Sequence, residues 1–139
     1  MSTRSAARKL GAGQILIVVY AILAIAATGR SVFQILTKFD TAPIAYVLSA
    51  VAAVVYLLAT IALVRSASGW FVFAFATVSF ELAGVLVVGL LSVLDPVLFP
   101  ADTVWSFFGR GYGFIPLILP ILGLLYLIRQ RRVLRQEAV

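Results

Sequence analysis

Residues Trp70 to Leu94 read WFVFAFATVSFELAGVLVVGLLSVL, twenty-five residues with one ionisable side chain, Glu81, near the middle. A bilayer hydrocarbon core is about 30 Å thick and takes about 20 apolar residues of helix to cross. The stretch therefore predicts a membrane-spanning helix with a carboxyl group near mid-bilayer depth. The whole chain agrees with this reading. Its 139 residues are 63% hydrophobic and 12% charged, against about 45–50% apolar and about 25% charged in a soluble domain. The surplus has to face lipid, and the length leaves room for four spans and short loops in one membrane domain.

Working outward, Arg65 to Gly69 reads as a tight turn, which makes the preceding span, 43–64, an antiparallel neighbour. Thr41 suits an N-cap there and Pro43 the first turn, where a missing N–H costs nothing. Ser49 and Ala53 form a small-xxx-small pair that lets another helix come close. The first span covers about 10–28 after a basic start with Arg4, Arg8 and Lys9. A basic start before an apolar run can imitate a secretory signal, with Ala26 to Gly29 resembling a cleavage site, but three further spans follow and a retained helix needs no added assumption. Residues 31–40 either form a short interfacial helix or, more simply, prolong the first span.

After Leu94, Asp95-Pro96 stops the third span, and 95–111 forms the longest loop. Tryptophan favours the headgroup boundary, so this loop is expected to lie on the outer membrane surface, with Asp102 or Thr103 capping a short helix to Phe108. The last span is expected over 112–128, opened by the glycines of GRGYG and kinked at Pro120. GRGYG lacks the phosphate-loop pattern and follows no strand. The expected fold is thus an all-α, polytopic four-transmembrane-helix bundle. With both termini and Arg65 on one side, that side holds Arg4, Arg8, Lys9, Arg65, Arg129, Arg131, Arg132 and Arg135. The other holds only Arg30, Lys38 and Arg110, together with Asp40, Asp95 and Asp102. The positive-inside rule then places both termini in the cytoplasm and the protein in the cell inner (plasma) membrane.

Histidine and cysteine are both absent. That removes thiolate nucleophiles, disulfides, Cys/His zinc sites and the usual haem and iron–sulfur ligands. No cofactor, no metal site and no enzymatic activity are expected. The net charge of +6 reads as basic flanks meeting anionic lipid rather than nucleic acid.

Two places could carry function. Glu81 lies eleven residues beyond Trp70, about 16 Å deep at 1.5 Å per residue. An ionised carboxylate there is costly, so it is protonated or paired. Tyr20 and Tyr56 come out level with it, and no basic residue does. The sharper reading is a proton-coupled site; the plainer one is a carboxyl hydrogen-bonded inside the bundle or to a partner. The second place is the outer loop, where Asp102, Trp105, Phe107, Phe108, Arg110 and Tyr112 form a candidate docking surface. On α-helical spacing Phe71, Phe73, Phe75 and Phe80 wrap more than one face of their helix, a further sign of contact with lipid or a neighbouring protein.

Over TVWSFFGRGYGFIPLILPILGLLYL, Thr103 to Leu127, the chain resembles a group of small four-helix actinobacterial integral membrane proteins of unassigned activity. Some small proteins of this build are accessory subunits around the actinobacterial respiratory supercomplex of cytochrome bcc and aa3 oxidase. The resemblance implies larger integral membrane subunits as partners and carries over no catalytic residue. Small multidrug exporters match less well, because their membrane glutamate lies in the first helix and Glu81 in the third. The expected function is a non-catalytic accessory or assembly subunit of a larger inner-membrane complex. The alternative is a small proton-coupled transporter working as a homo-oligomer around Glu81.

Overall fold

In the third long helix the buried positions include Ala74, Val78, Glu81, Val85, Val88 and Ser92, alternately four and three residues apart, with Gly89 buried beside them. In the second they are Ala45, Ser49, Ala52, Tyr56, Ala59 and Leu63 at the same spacing, among others. A stripe of this period is what a helix presents to neighbours in a left-handed bundle. The computed structural model describes residues 2–66, 69–99 and 101–138, with the side chains of 2–12, 96, 134, 137 and 138 not described. Ala67 and Ser68 of the expected turn, Pro100 of the loop, and the side chains of Arg4, Arg8 and Lys9 lie outside the described residues.

Helix α1 spans Ser2–Lys38, α2 Pro43–Val64, α3 Phe71–Leu94 and α4 Ile115–Ala138. The fold is an all-α, polytopic membrane bundle, with no strand among the described residues. Helix α1 runs unbroken through 31–38, as the simpler reading of that segment expects. A single tight turn, Phe39–Thr41, then delivers the chain to Pro43 at the start of α2. Small side chains line the interior: Ala24 and Ala27 of α1, and Ala52, Ala53 and Ala59 of α2, are buried. Larger ones such as Ile25, Leu36, Val72 and Phe80 face outward. Lipid is as apolar as leucine, so burial of bulk brings no gain here, and close backbone approach through small residues holds the helices together.

Helices α1, α2 and α3 are each long and apolar enough to cross a membrane. Helix α4 reaches that measure only as a bent pair with the segment Ser106–Tyr112, the two axes meeting at 98°. Its apolar part ends before Arg129, about 20 Å from Ile115, short of a full crossing. The expected span 112–128 is corrected accordingly: the helix starts at Ile115, and the sharp bend falls just before it.

The space α4 leaves is filled by the middle of the loop, which is buried where a surface position was expected, while Asp95, Val97, Asp102, Arg110 and Gly111 are exposed. Phe99, Thr103, Val104, Trp105 and Ser106 are buried, and the indole of Trp105 packs on Gly84, where a methyl group would come within 2.6 Å of the ring. Gly84 lies ten residues before Leu94, about 15 Å in from that end of α3. Irregular backbone at membrane depth is tolerated only when buried in protein with its polar groups satisfied, and Thr103 to Ser106 are buried with all four backbone N–H groups hydrogen-bonded. Val104 N–H donates to Ser49 Oγ at 3.2 Å, Thr103 N–H to Ser106 Oγ at 2.8 Å and Trp105 N–H to Thr103 Oγ1 at 3.1 Å. Thr103, not the exposed Asp102, is therefore the capping residue, and it caps a turn rather than a regular helix. Phe107, Phe108 and Gly109 then take left-handed backbone conformations, with φ of 51°, 62° and 83°. Gly109 is required there for a second reason, because Pro116 sits where its side chain would be.

Candidate functional site

Because Glu81 occupies one position of the buried stripe of α3, the register of that helix alone turns its carboxyl inward. Tyr20 on α1 and Tyr56 on α2 hold equivalent places on their own stripes, and none of the three is exposed to any measurable degree. The structure brings all three together. Tyr20 Oη donates to Glu81 Oε1 at 2.6 Å, and the rings of Tyr20 and Tyr56 are tilted against each other with centroids 6.3 Å apart. Gly123 of α4 completes the wall: a side chain there would meet Tyr20 Oη and Val78 at 3.2 Å. All four helices thus contribute to one polar centre.

A fourth member comes from the loop. Trp105 Nε1–H donates to Tyr56 Oη at 3.0 Å, so the loop reaches the same centre. Glu81 Oε2 is buried without a hydrogen-bond partner among the described residues. The carboxyl accepts from Tyr20 whether or not it carries a proton, so the arrangement can hold a neutral acid or receive and release a proton. Among the described residues no three carboxylates, histidines or cysteines converge. Grooves open on the outer faces of the bundle between α1 and α4, α2 and α3, and α3 and α4, and none of these three is lined by Glu81, Tyr20 or Tyr56.

The docking surface expected on the loop comes apart into two sets. Trp105 is buried and is no interface anchor, which corrects its expected place. Phe108 is half-buried against Gly89 of α3. Tyr112 is half-buried with Arg30 over its ring at 5.9 Å, and the same arginine donates to the Asp102 carbonyl at 3.2 Å. Only Asp102 and Arg110 are exposed, with the Arg110 guanidinium 4.2 Å from the centroid of the half-buried Phe107.

Sequence reasoning missed Ser49 as the loop's seat, Gly84 as the slot for the indole, and a buried polar row on α1. Thr28 Oγ1, Ser31 Oγ and Gln34 Oε1 are all buried without partners among the described residues. Their spacing of three residues was visible as one helix face; which way that face turned was not. No protein-family model, curated protein or solved structure matches the chain, so a reading of its function rests on its own residues.

Proposed function

We propose that the chain is a non-catalytic accessory or assembly subunit of a larger inner-membrane complex, with a respiratory supercomplex as the first complex to test. The observation that supports this is the inward use of its chemistry. The carboxyl, both phenols and the indole at mid-depth are buried and engaged with one another, a construction suited to rigidity. What the bundle offers outward is apolar helix surface, including Val72, Phe73 and Phe80 of α3, and the small polar outer patch of Asp102 and Arg110. Mild-detergent purification through a C-terminal tag is expected to recover larger membrane subunits in fixed stoichiometry. Combined substitution Phe107→Ala and Arg110→Ala is expected to weaken that recovery about tenfold, the effect of losing one modest hot spot. Deleting 102–108 is a poorer test, because it also removes Trp105 from the interior.

The proposed setting is the plasma membrane with both termini cytoplasmic, on the strength of the arginine distribution. Cysteines introduced at Ser2 and Ala101 are then expected to react with impermeant maleimide from opposite sides. Reaction from one side only would sink the arrangement.

A second reading is favoured by one specific feature, the unpartnered Oε2 of Glu81. An intramembrane acid with an open acceptor is suited to proton-coupled transport by a homo-oligomer. The two readings part at Glu81→Gln, which would abolish such transport yet leave an accessory subunit assembled. A clean homo-oligomer without companions in the purification would favour the transporter.

A further inference from the structure

Helix α4 is flanked by two outward-facing grooves, each with apolar walls and an arginine in its lining. Between α1 and α4 runs a groove of about 430 Å³, walled by Ile15, Val19, Ile118, Leu122 and Leu125 and bounded by Tyr126 and Arg129. Between α3 and α4 runs another of about 470 Å³, walled by Phe71, Val72, Phe75, Ala76 and Ile128 and bounded by Arg131. Residues two apart on a helix point about 200° away from each other at 3.6 residues per turn, so each arginine serves its own groove. Both arginines stand at the end of the bundle that carries the chain termini, where Gly13 of α1 meets Tyr126 of α4 and Arg131 meets Phe71 at the start of α3.

The occupant these features select is a phospholipid. Volumes of about 430 and 470 Å³ accommodate acyl-chain segments, and the arginine at one end of each groove suits a phosphate better than an apolar helix face. Each groove has apolar walls and a cationic end, which mirrors a lipid with its phosphate at the membrane boundary and its tail starting along α4 in the first groove and beside the first turns of α3 in the second. Arg131 is held at its groove by the Phe71 ring, with the guanidinium 5.4 Å from the ring centroid. In the other groove Tyr126 Oη accepts from Gln130 Nε2 at 3.0 Å, which leaves its own O–H free to donate beside Arg129. No ion pair is formed by either arginine among the described residues, so both keep their charge for a ligand. A zwitterionic headgroup brings its own cation and gains less from that charge than an anionic one.

We infer that each groove binds one anionic phospholipid, with its phosphate on Arg129 or on Arg131. The inference is independent of the partner complex proposed above. The test is native mass spectrometry of the delipidated protein titrated with phosphatidylglycerol and, separately, with phosphatidylcholine. Wild type is expected to retain two molecules of phosphatidylglycerol and to hold phosphatidylcholine more weakly. Arg129→Gln and Arg131→Gln are each expected to weaken one of the two sites about fivefold, the contribution of one cation near an anionic headgroup. Arg129→Lys and Arg131→Lys keep the charge and are expected to keep both lipids. Both arginines are exposed at the end of α4, and an unchanged melting temperature in detergent alone verifies that the variants are folded. Equal retention of the two lipids by wild type would overturn the proposal. So would an unaltered lipid count in both glutamine variants, or loss of lipid in the lysine variants.

Discussion

Trp105→Ala is expected to destabilise the folded bundle by about 3–5 kcal/mol, the range for truncating a large buried aromatic. The side chain is 3% exposed and lies in the slot that Gly84 leaves open. Its removal leaves a cavity and also strips Tyr56 of its donor, since the indole N–H is the group that bonds the phenol. A further effect comes from the loop itself. Phe107 and Phe108 both hold left-handed backbone, at roughly 1–2 kcal/mol each for a residue with a side chain. Such strain persists only where the surroundings over-determine it, and the indole is the deepest of the contacts that do so. The loop is therefore expected to loosen as the bundle weakens. Unfolding in mixed sodium dodecyl sulfate and dodecyl maltoside micelles, followed by circular dichroism, measures the first effect. Maleimide labelling of Val104→Cys, buried in the wild type, measures the second.

The companion variant Gly84→Leu attacks the same contact from the other side. It overfills the slot instead of emptying it, and is expected to be destabilising on its own. Combined with Trp105→Ala it should cost less than the sum of the two, because the new side chain occupies the space the indole vacates. If Trp105→Ala unfolds at the same detergent fraction as wild type, the segment is not anchored by this residue.

These contacts explain which parts of the molecule were legible in the sequence. The membrane helices were, because crossing a bilayer demands about 20 apolar residues and little else meets that demand. The level of Glu81, Tyr20 and Tyr56 was legible too, since helical rise converts residue number into depth. The facing of each helix was harder. When a helix is apolar all round, hydropathy carries no stripe. Size separates the faces of α3 only in part: Phe73, Phe80 and Leu90 face outward, but valines lie on both sides, Val78 and Val85 inward and Val72 and Val87 outward. The loop was misread for a different reason. Tryptophan at a span's edge is an interface residue by general preference, and nothing local to 103–106 shows that Gly84 and Ser49, distant in sequence, offer a slot and an acceptor. The glycines of GRGYG signalled a sharp turn, and Gly109 and Gly113 do have positive φ. The left-handed phenylalanines beside them carry no such signal, because their conformation is imposed by packing.

Tyr20→Phe is the second large effect, expected to cost about 1–3 kcal/mol, the penalty for leaving a buried polar group unsatisfied. Hydrogen bonds between membrane helices average only about 0.6 kcal/mol, with a maximum near 1.7, because the unfolded chain in the membrane also finds partners. The loss here is placed toward the upper end by the isolation of the site. Glu81 Oε1 has the Tyr20 hydroxyl as its hydrogen-bond partner and Oε2 has none among the described residues, so the variant leaves the whole carboxyl unpaired in an apolar interior. Glu81→Gln keeps an oxygen that accepts from Tyr20 and is expected to cost under 1 kcal/mol. The decisive variant is the pair Tyr20→Phe with Glu81→Leu. Replacing both partners with apolar groups of similar shape removes the unsatisfied group together with the bond, and is expected to bring stability back near wild type. Measured in the same mixed micelles, that recovery would mean the carboxyl is dispensable to the fold. Glu81 would then have to be explained by what it does for a partner or a proton, and the assembly state of the double variant says which. A pair that fails to recover, with losses that simply add, would mean instead that the two side chains act separately.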